Sequence, residues 1–276
     1  MNPVAALLLI LSVLVAFRLL ILWKEVRLLY PRRRAFFAEP ADEGMEYEDL
    51  TFCAEDGASL HGWWFPHPEA KGVLLVCHGN AGNVSDRLWI PRDLADVPLH
   101  KFVFDYRGFG RSRGFPSERG TERDARAALE VVRQRWKTYG EAPPVILYGR
   151  SLGGGVALQI ADDPCIRGLV LENTFTSVLE IGERQYPWLF PRLFCVNPYR
   201  SDLRIEKVRA PVLVVHSPDD EVIPYDMGET LFRIAPNPWK FIRLQGLHDE
   251  AGWQTSGEYA REFRRFVAEV LEEARP

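Results

Sequence analysis

The apolar run Val145-Ile146-Leu147-Tyr148 leads straight into Gly149-Arg150-Ser151-Leu152-Gly153, and small residues, Gly153-Gly154-Gly155-Val156-Ala157, follow at once. A buried strand that turns sharply at a serine and starts a helix fits this order, and few folds have a place for it. A serine at the tip of such a turn sits in strained backbone. Its neighbours must be small if a substrate is to reach its hydroxyl, which accounts for the glycines. The bare Gly-x-Ser-x-Gly pattern recurs by chance. The strand before it and the small-residue run after it set it apart from an ordinary glycine-rich connection and make Ser151 the candidate nucleophile.

Further apolar runs repeat the strand signal. Tyr47 to Cys53 and Ser59 to Phe65 alternate around Asp56-Gly57, a hairpin signal. Val73 to Cys77 is continuously apolar, as a strand covered on both faces should be. Lys101 to Asp105, Val145 to Tyr148, Leu169 to Leu171, Val212 to Val215 and Phe241 to Leu244 complete the series. Helical patterns lie between them. Ala125, Ala128, Leu129, Val132 and Trp136 share one face, and Thr121 with Asp124 resembles a capping box with Asp in place of Glu. Tyr259, Phe263, Phe266, Val267 and Val270 form a stripe on a last helix. The alternation predicts one α/β domain: a mostly parallel sheet with helices on both faces, led by an antiparallel hairpin.

In such sheets functional groups collect at the carboxyl ends of the strands. A serine hydroxyl needs a base to take its proton, and the base needs an orienting group. The run Val212 to Val215 enters His216-Ser217-Pro218-Asp219-Asp220-Glu221-Val222-Ile223-Pro224, and Phe241 to Leu244 enters Gln245-Gly246-Leu247-His248-Asp249. His248 is the expected base. Asp220 is the expected acid, with the adjacent Asp219 the second choice, and the remaining carboxylates of the run are expected to be solvated. The order Ser151, Asp220, His248 is that of α/β-hydrolases. Two backbone N–H groups should face the developing oxyanion. One belongs to Leu152, after the nucleophile. The other is assigned to Asn80 in the loop His78-Gly79-Asn80-Ala81-Gly82-Asn83, whose glycines also permit a tight turn.

The amino-terminal segment differs from the rest. Val4 to Trp23 is a 20-residue stretch with Arg18 as its only charge; as a helix it would be about 30 Å long, the thickness of a bilayer core. Met1-Asn2-Pro3 supplies no basic region and no clear small-residue cleavage site follows, so a membrane anchor is expected rather than a signal peptide. The alternative is an amphipathic helix docked on the domain. Lys24, Arg27 and Arg32-Arg33-Arg34 follow the stretch, which by the positive-inside rule puts the domain in the cytoplasm; the same charges could simply stop transfer or touch anionic lipid. A net charge of −4 gives no reason to expect nucleic acid as a partner. The four scattered cysteines and six scattered histidines form no disulfide scaffold or metal-ligand spacing, so neither a metal nor a cofactor is expected. The expected organisation is an anchor at residues 1–30, a linker at 31–45 and the catalytic domain at 46–276. The oligomeric state is left open.

Together these strings resemble the α/β-hydrolase superfamily from about Tyr47 to the carboxyl terminus. More narrowly they resemble its membrane-anchored α/β-hydrolase-domain group, which includes protein depalmitoylases and lysophospholipid hydrolases. The resemblance is carried by His78 to Asn83, Asp105-Tyr106-Arg107-Gly108-Phe109-Gly110-Arg111-Ser112, Tyr148 to Gly154, Leu171-Glu172-Asn173-Thr174-Phe175-Thr176-Ser177 and Gly246 to Asp249. It implies Ser151 as nucleophile, His248 as base and Asp220 as acid, the last because Asp-x-x-Ile-Pro ends the acid loop. It also implies that Asp105 to Gly110 shapes the pocket floor without reacting. Two departures stand out: Ser217 where the group often has Gly, and Asp249 where Asn commonly follows the histidine. Asp249 could raise the basicity of His248 or compete for it. Residues 173–209, rich in aromatics and prolines, read as a small irregular helical cap with an apolar face for acyl chains, or as packing of a short crossover. The implied activity is hydrolysis of carboxylic esters or thioesters of acyl lipids or acylated molecules. A serine peptidase or amidase, or a membrane-tethered binding protein of the same fold, is the alternative.

Overall fold

The computed structural model describes residues 2–140 and 142–273. The ends of the expected anchor and domain, Met1 and residues 274–276, lie outside the described residues. Eight strands form one sheet: β1 (Glu48–Cys53), β2 (Ser59–Phe65), β3 (Val73–Cys77), β4 (His100–Asp105), β5 (Val145–Arg150), β6 (Ile166–Glu172), β7 (Val212–His216) and β8 (Pro238–Arg243). Their order across the sheet is β1-β2-β4-β3-β5-β6-β7-β8. The pairs β1–β2 and β2–β4 are antiparallel and all later pairs are parallel. Gly57, at φ +81°, makes the left-handed turn between β1 and β2.

The helices are α1 (Pro3–Leu29), α2 (Trp89–Asp93), α3 (Glu118–Trp136), α4 (Leu152–Leu158), α5 (Val178–Gln185), α6 (Pro191–Phe194), α7 (Ser201–Ile205), α8 (Tyr225–Ile234) and α9 (Gly257–Glu273). Side chains of a strand alternate between faces, and the central strands therefore feed two cores. Val145 and Leu147 of β5 and Val73 and Leu75 of β3 pack with Ala125 and Leu129 of α3, Val156 of α4 and Leu231 of α8. Ile146, Tyr148, Leu74 and Val76 pack on the opposite face with Tyr259, Phe263 and Phe266 of α9. Continuous apolar runs were the sequence signature of this two-sided burial.

The start of α3 differs from the sequence reading. The cap is Ser117, whose hydroxyl accepts from the Gly120 N–H, and not Thr121. Asp124 has another use: its carboxylate accepts from the Arg107 N–H (2.8 Å) and from the Arg107 guanidinium (2.8 Å). A buried arginine outcompetes a helix end for that carboxylate, because leaving the charge unpaired there would cost several kcal/mol.

Residues 31–45, expected as a linker, lie along the domain. The Arg33 N–H donates to the Gly82 carbonyl (3.2 Å), its guanidinium pairs with Asp86 (2.6 Å), and Arg34 donates to the Ser112 carbonyl (2.5 Å). Phe36 packs edge-on against Trp63 (ring centroids 5.1 Å apart). The basic run thus holds the loop that carries Asn80 as well as following the apolar helix.

The helix α1 is long and apolar enough to cross a membrane, and none of its residues is fully buried. Its first half stands clear, Phe17 and Arg18 touch Phe194, and from Ile21 onward it lines a cavity of the domain. Between β6 and β7 the chain forms α5, a short turn at Pro187–Leu189, α6 and α7 above the carboxyl edge of the sheet.

Candidate active site

The parallel strands β3, β5, β6, β7 and β8 are neighbours in the sheet, and their carboxyl ends meet at one edge. Ser151 stands at the end of β5 with φ +54° and ψ −124°. An L-residue is strained in that region by about 1–3 kcal/mol, and the strain is held by hydrogen bonds on both sides. The Ser151 N–H donates to the Glu172 carbonyl (2.9 Å), and the Thr174 hydroxyl donates to the Ser151 carbonyl (2.7 Å). Gly153 is required for the turn: a β-carbon there would collide with the carbonyl oxygens of Cys77 and His78, so only glycine lets α4 come this close to β3.

His248, in the loop after β8, reaches back to the serine. Its Nε2 is 3.0 Å from Ser151 Oγ, and its Nδ1 is 2.7 Å from Asp220 Oδ2. The second oxygen of Asp220 accepts from the N–H groups of Val222 (2.9 Å) and Ile223 (2.7 Å), which fixes the carboxylate plane. Burial raises the Asp220 pKa, but His216, His248 and the Ile223 N–H together outweigh it and hold the carboxyl well below the usual carboxylate range. This oriented carboxylate, imidazole and hydroxyl could move the serine proton onto the imidazole as the oxygen attacks. Asp219 is exposed, and its carboxylate accepts a 3.4 Å approach from the Gly246 N–H. Asp249 is also exposed, and Asp220 already occupies Nδ1 of the histidine.

Several supporting contacts of the site could not be read from the sequence. His216 backs Asp220, its Nε2 donating to the Ile223 carbonyl (3.1 Å) and lying 3.5 Å from Asp220 Oδ2. Glu221 accepts from the His248 N–H (2.9 Å). The Ser217 hydroxyl donates to the Gly246 carbonyl (2.6 Å), tying the acid loop to the histidine loop with a bond that glycine could not make. Arg150, inside the motif itself, donates to the His248 carbonyl (2.6 Å). Apart from those of His216, whose partners lie four and seven residues on, these contacts join residues 27 or more apart in sequence, and only their position beside the motif residues hinted at them.

Asn80 and Leu152 both line the cavity with Ser151. Among the described residues no protein group accepts a hydrogen bond from either main-chain N–H. The loop carrying Asn80 is braced from below. The His78 ring Nδ1 lies 2.6 Å from the Gly79 carbonyl, the Tyr106 hydroxyl donates to the His78 carbonyl (2.9 Å), and the His78 Nε2 lies 3.5 Å from buried Asp105. Burial raises the Asp105 pKa too, but hydrogen bonds from His61 and His78 bring it below the ordinary range, so a carboxylate sits fixed behind the loop.

The cavity above Ser151 has a volume of about 290 Å³. Val178, Ile181, Leu189 and Phe194 come from the segment between β6 and β7, Ile223 from the acid loop, and Ile21, Lys24, Glu25, Leu28 and Leu29 from α1. The lining is mostly apolar, and its one carboxylate among the described residues, Glu25, accepts from the N–H groups of Val196 (3.0 Å) and Asn197 (2.7 Å).

A family model described as serine aminopeptidase, S33, matches residues 68–194, which include Asn80 and Ser151 and stop before Asp220 and His248. An uncharacterized protein of Mycobacterium tuberculosis is 35% identical over 225 residues, 80% of this chain and 79% of that protein. The α/β-hydrolase domain-containing protein WAV2 of Arabidopsis thaliana is 32% identical over 241 residues, 79% of this chain and 77% of the relative. Among solved structures, a Pyrococcus furiosus esterase superposes with a TM-score of 0.68 at 19% identity, covering 88% of this chain and 96% of the other.

Proposed function

The chain belongs to the α/β-hydrolase superfamily, and from that premise we propose that it is a membrane-anchored serine hydrolase of carboxylic esters or thioesters. The observation that carries the proposal is the chain of hydrogen bonds from Asp220 through His248 to Ser151 (2.7 and 3.0 Å) on the floor of an apolar cavity. His248 Nε2 takes the Ser151 proton as Oγ attacks the acyl carbonyl. The tetrahedral oxygen accepts from the Leu152 and Asn80 N–H groups. Collapse breaks the bond to the alcohol or thiol, which leaves with the proton from His248, and the acyl group stays on Oγ. Water then loses a proton to His248 and attacks the acyl-enzyme, and Ser151 regains its proton as the free acid leaves.

An ester fits the lining better than a peptide with a free amino terminus. Binding an α-ammonium calls for an available carboxylate, and Glu25 is already committed to the amides of Val196 and Asn197. The helix α1 supports attachment to a membrane, and the positive charges after it favour a cytoplasmic domain.

A fluorophosphonate probe is expected to label wild-type protein at Ser151, and Ser151→Ala to abolish both labelling and hydrolysis of p-nitrophenyl esters. Labelling or turnover that survived the substitution would remove Ser151 from this role.

A further inference from the structure

From the way α1 meets the cavity we infer that this helix is one wall of the acyl channel, and that the acyl chain of a membrane-borne ester enters through the groove between α1 and α5–α6, directly from the bilayer. The inference rests on the hydrolase reading above. A helix that merely tethered the domain would hang from it by a flexible link. Here Ile21, Glu25 and Leu28 line the same cavity as Ser151, facing Ile181, Leu189 and Phe194 across the groove.

The helix is latched in place at two levels. The Glu25 carboxylate accepts from the Val196 N–H (3.0 Å), the Asn197 N–H (2.7 Å) and the Asn197 side-chain amide (3.0 Å). Two turns earlier, Arg18 donates to the Phe194 carbonyl (2.5 Å), and Phe17 meets the Phe194 ring edge-on at 5.6 Å between centroids. The only charge in the apolar stretch is thus satisfied by the segment that roofs the cavity. The apolar stretch Val4 to Trp23 is about 30 Å long as a helix, matching the ~30 Å of a hydrocarbon core. The first cavity-lining residue, Ile21, lies in the last turn of that stretch, just before Lys24, where the helix leaves the bilayer. The roof turns apolar side chains outward beside this level: Trp188 is 66% exposed, Phe190 63% and Leu193 72%. Such a surface, continuous with an apolar helix, suits the bilayer interface, where amphipathic aromatics settle. A chain leaving the lipid there meets Ile21 and Leu28 on one side and Ile181 and Leu189 on the other before its carbonyl reaches Ser151.

The test uses the full chain reconstituted in phosphatidylcholine vesicles, with p-nitrophenyl butyrate and p-nitrophenyl palmitate as substrates. Leu28→Trp narrows the groove and Glu25→Ala releases the latch, whereas Leu14→Trp alters the free part of the same helix. Each methylene held in an apolar channel is worth about fourfold in binding, so losing two lowers the palmitate-to-butyrate ratio of kcat/KM by roughly tenfold or more. That fall is expected for Leu28→Trp and Glu25→Ala, and not for Leu14→Trp. Fluorophosphonate labelling of Ser151 in each variant shows that the site is assembled. A ratio within threefold of wild type in both groove variants, or an equal fall in Leu14→Trp, overturns the channel and leaves α1 as a tether. Wild-type protein that turned over neither ester would overturn the hydrolase reading and this inference with it.

Discussion

Replacing Asp220 with asparagine tests the proposed site at its least obvious member. In the native arrangement one carboxylate oxygen takes the N–H groups of Val222 and Ile223, and the other faces His248 Nδ1 at 2.7 Å. An amide of the same shape has one oxygen, and two loop donors hold it. Its NH2 therefore points at the imidazole, where a second donor, Nδ1–H, cannot stay. The ring moves its proton to Nε2, and the nitrogen 3.0 Å from Ser151 Oγ becomes a donor with no lone pair to accept the serine proton. The negative charge that would stabilise the imidazolium is lost as well. With the charge centres about 4 Å apart and an effective dielectric near 20, that attraction is about 4 kcal/mol, or roughly 10³ in rate. The two losses overlap, and Asp220→Asn is expected to lower kcat for p-nitrophenyl butyrate by about 10³–10⁴ with KM within threefold. Fluorophosphonate labelling should slow in proportion. Asp219→Asn, at an exposed carboxylate with one 3.4 Å contact, and Glu221→Gln, which keeps an acceptor for the His248 N–H, should each stay within a fewfold of wild type. An Asp220→Asn enzyme within tenfold of wild type would refute the reasoning, and a large loss at Asp219→Asn would move the acid to the neighbouring residue.

Acid should expose the same carboxylate through stability. Asp220 titrates lower in the folded protein than when unfolded, so its charge stabilises the fold above the unfolded pKa of about 3.9 and that contribution fades as pH falls toward the folded value. The gap in Tm between wild type and Asp220→Asn is therefore expected to be full at pH 6 and to shrink below about pH 4; a gap constant to pH 3 would contradict the depressed pKa. Gly153→Ala forces α4 away from the carbonyls of Cys77 and His78, at a cost of about 1–3 kcal/mol or more. Thermal unfolding should register this as a fall of several degrees, together with slower labelling of Ser151, and an unchanged Tm would show that the contact can relax.

How much of this was legible in the sequence followed from what each residue contacts. Strands buried on both faces need apolar side chains at every position, and β3, with the run Val73 to Cys77, was readable to the residue. The strand β6 begins three residues before its apolar run because exposed Arg167 and small Gly168 interrupt the pattern without interrupting the backbone pairing. The candidate triad was legible because its members follow the carboxyl ends of β5, β7 and β8, so chain order carries spatial information. The supporting contacts have no such order. Thr121 and Asp124 had the spacing of a cap, but a four-residue pattern cannot show that Arg107 will claim Asp124.

The amino-terminal helix shows the same division more sharply. Its length and apolarity are local properties, and both anchor and docked helix were read from them. In the structure the apolar helix meets the domain from Phe17 and Arg18 onward. Composition does not change at that point; what changes is the surface met by the helix, supplied by Phe194 to Asn197 some 170 residues away. Glu25 has no local signal, and its use as an acceptor for the amides of Val196 and Asn197 depends wholly on that distant contact. Acidic residues contribute little to helix orientation in a bilayer, so the hydrogen bonds that Glu25 accepts from Val196 and Asn197 explain its presence better than membrane topology would.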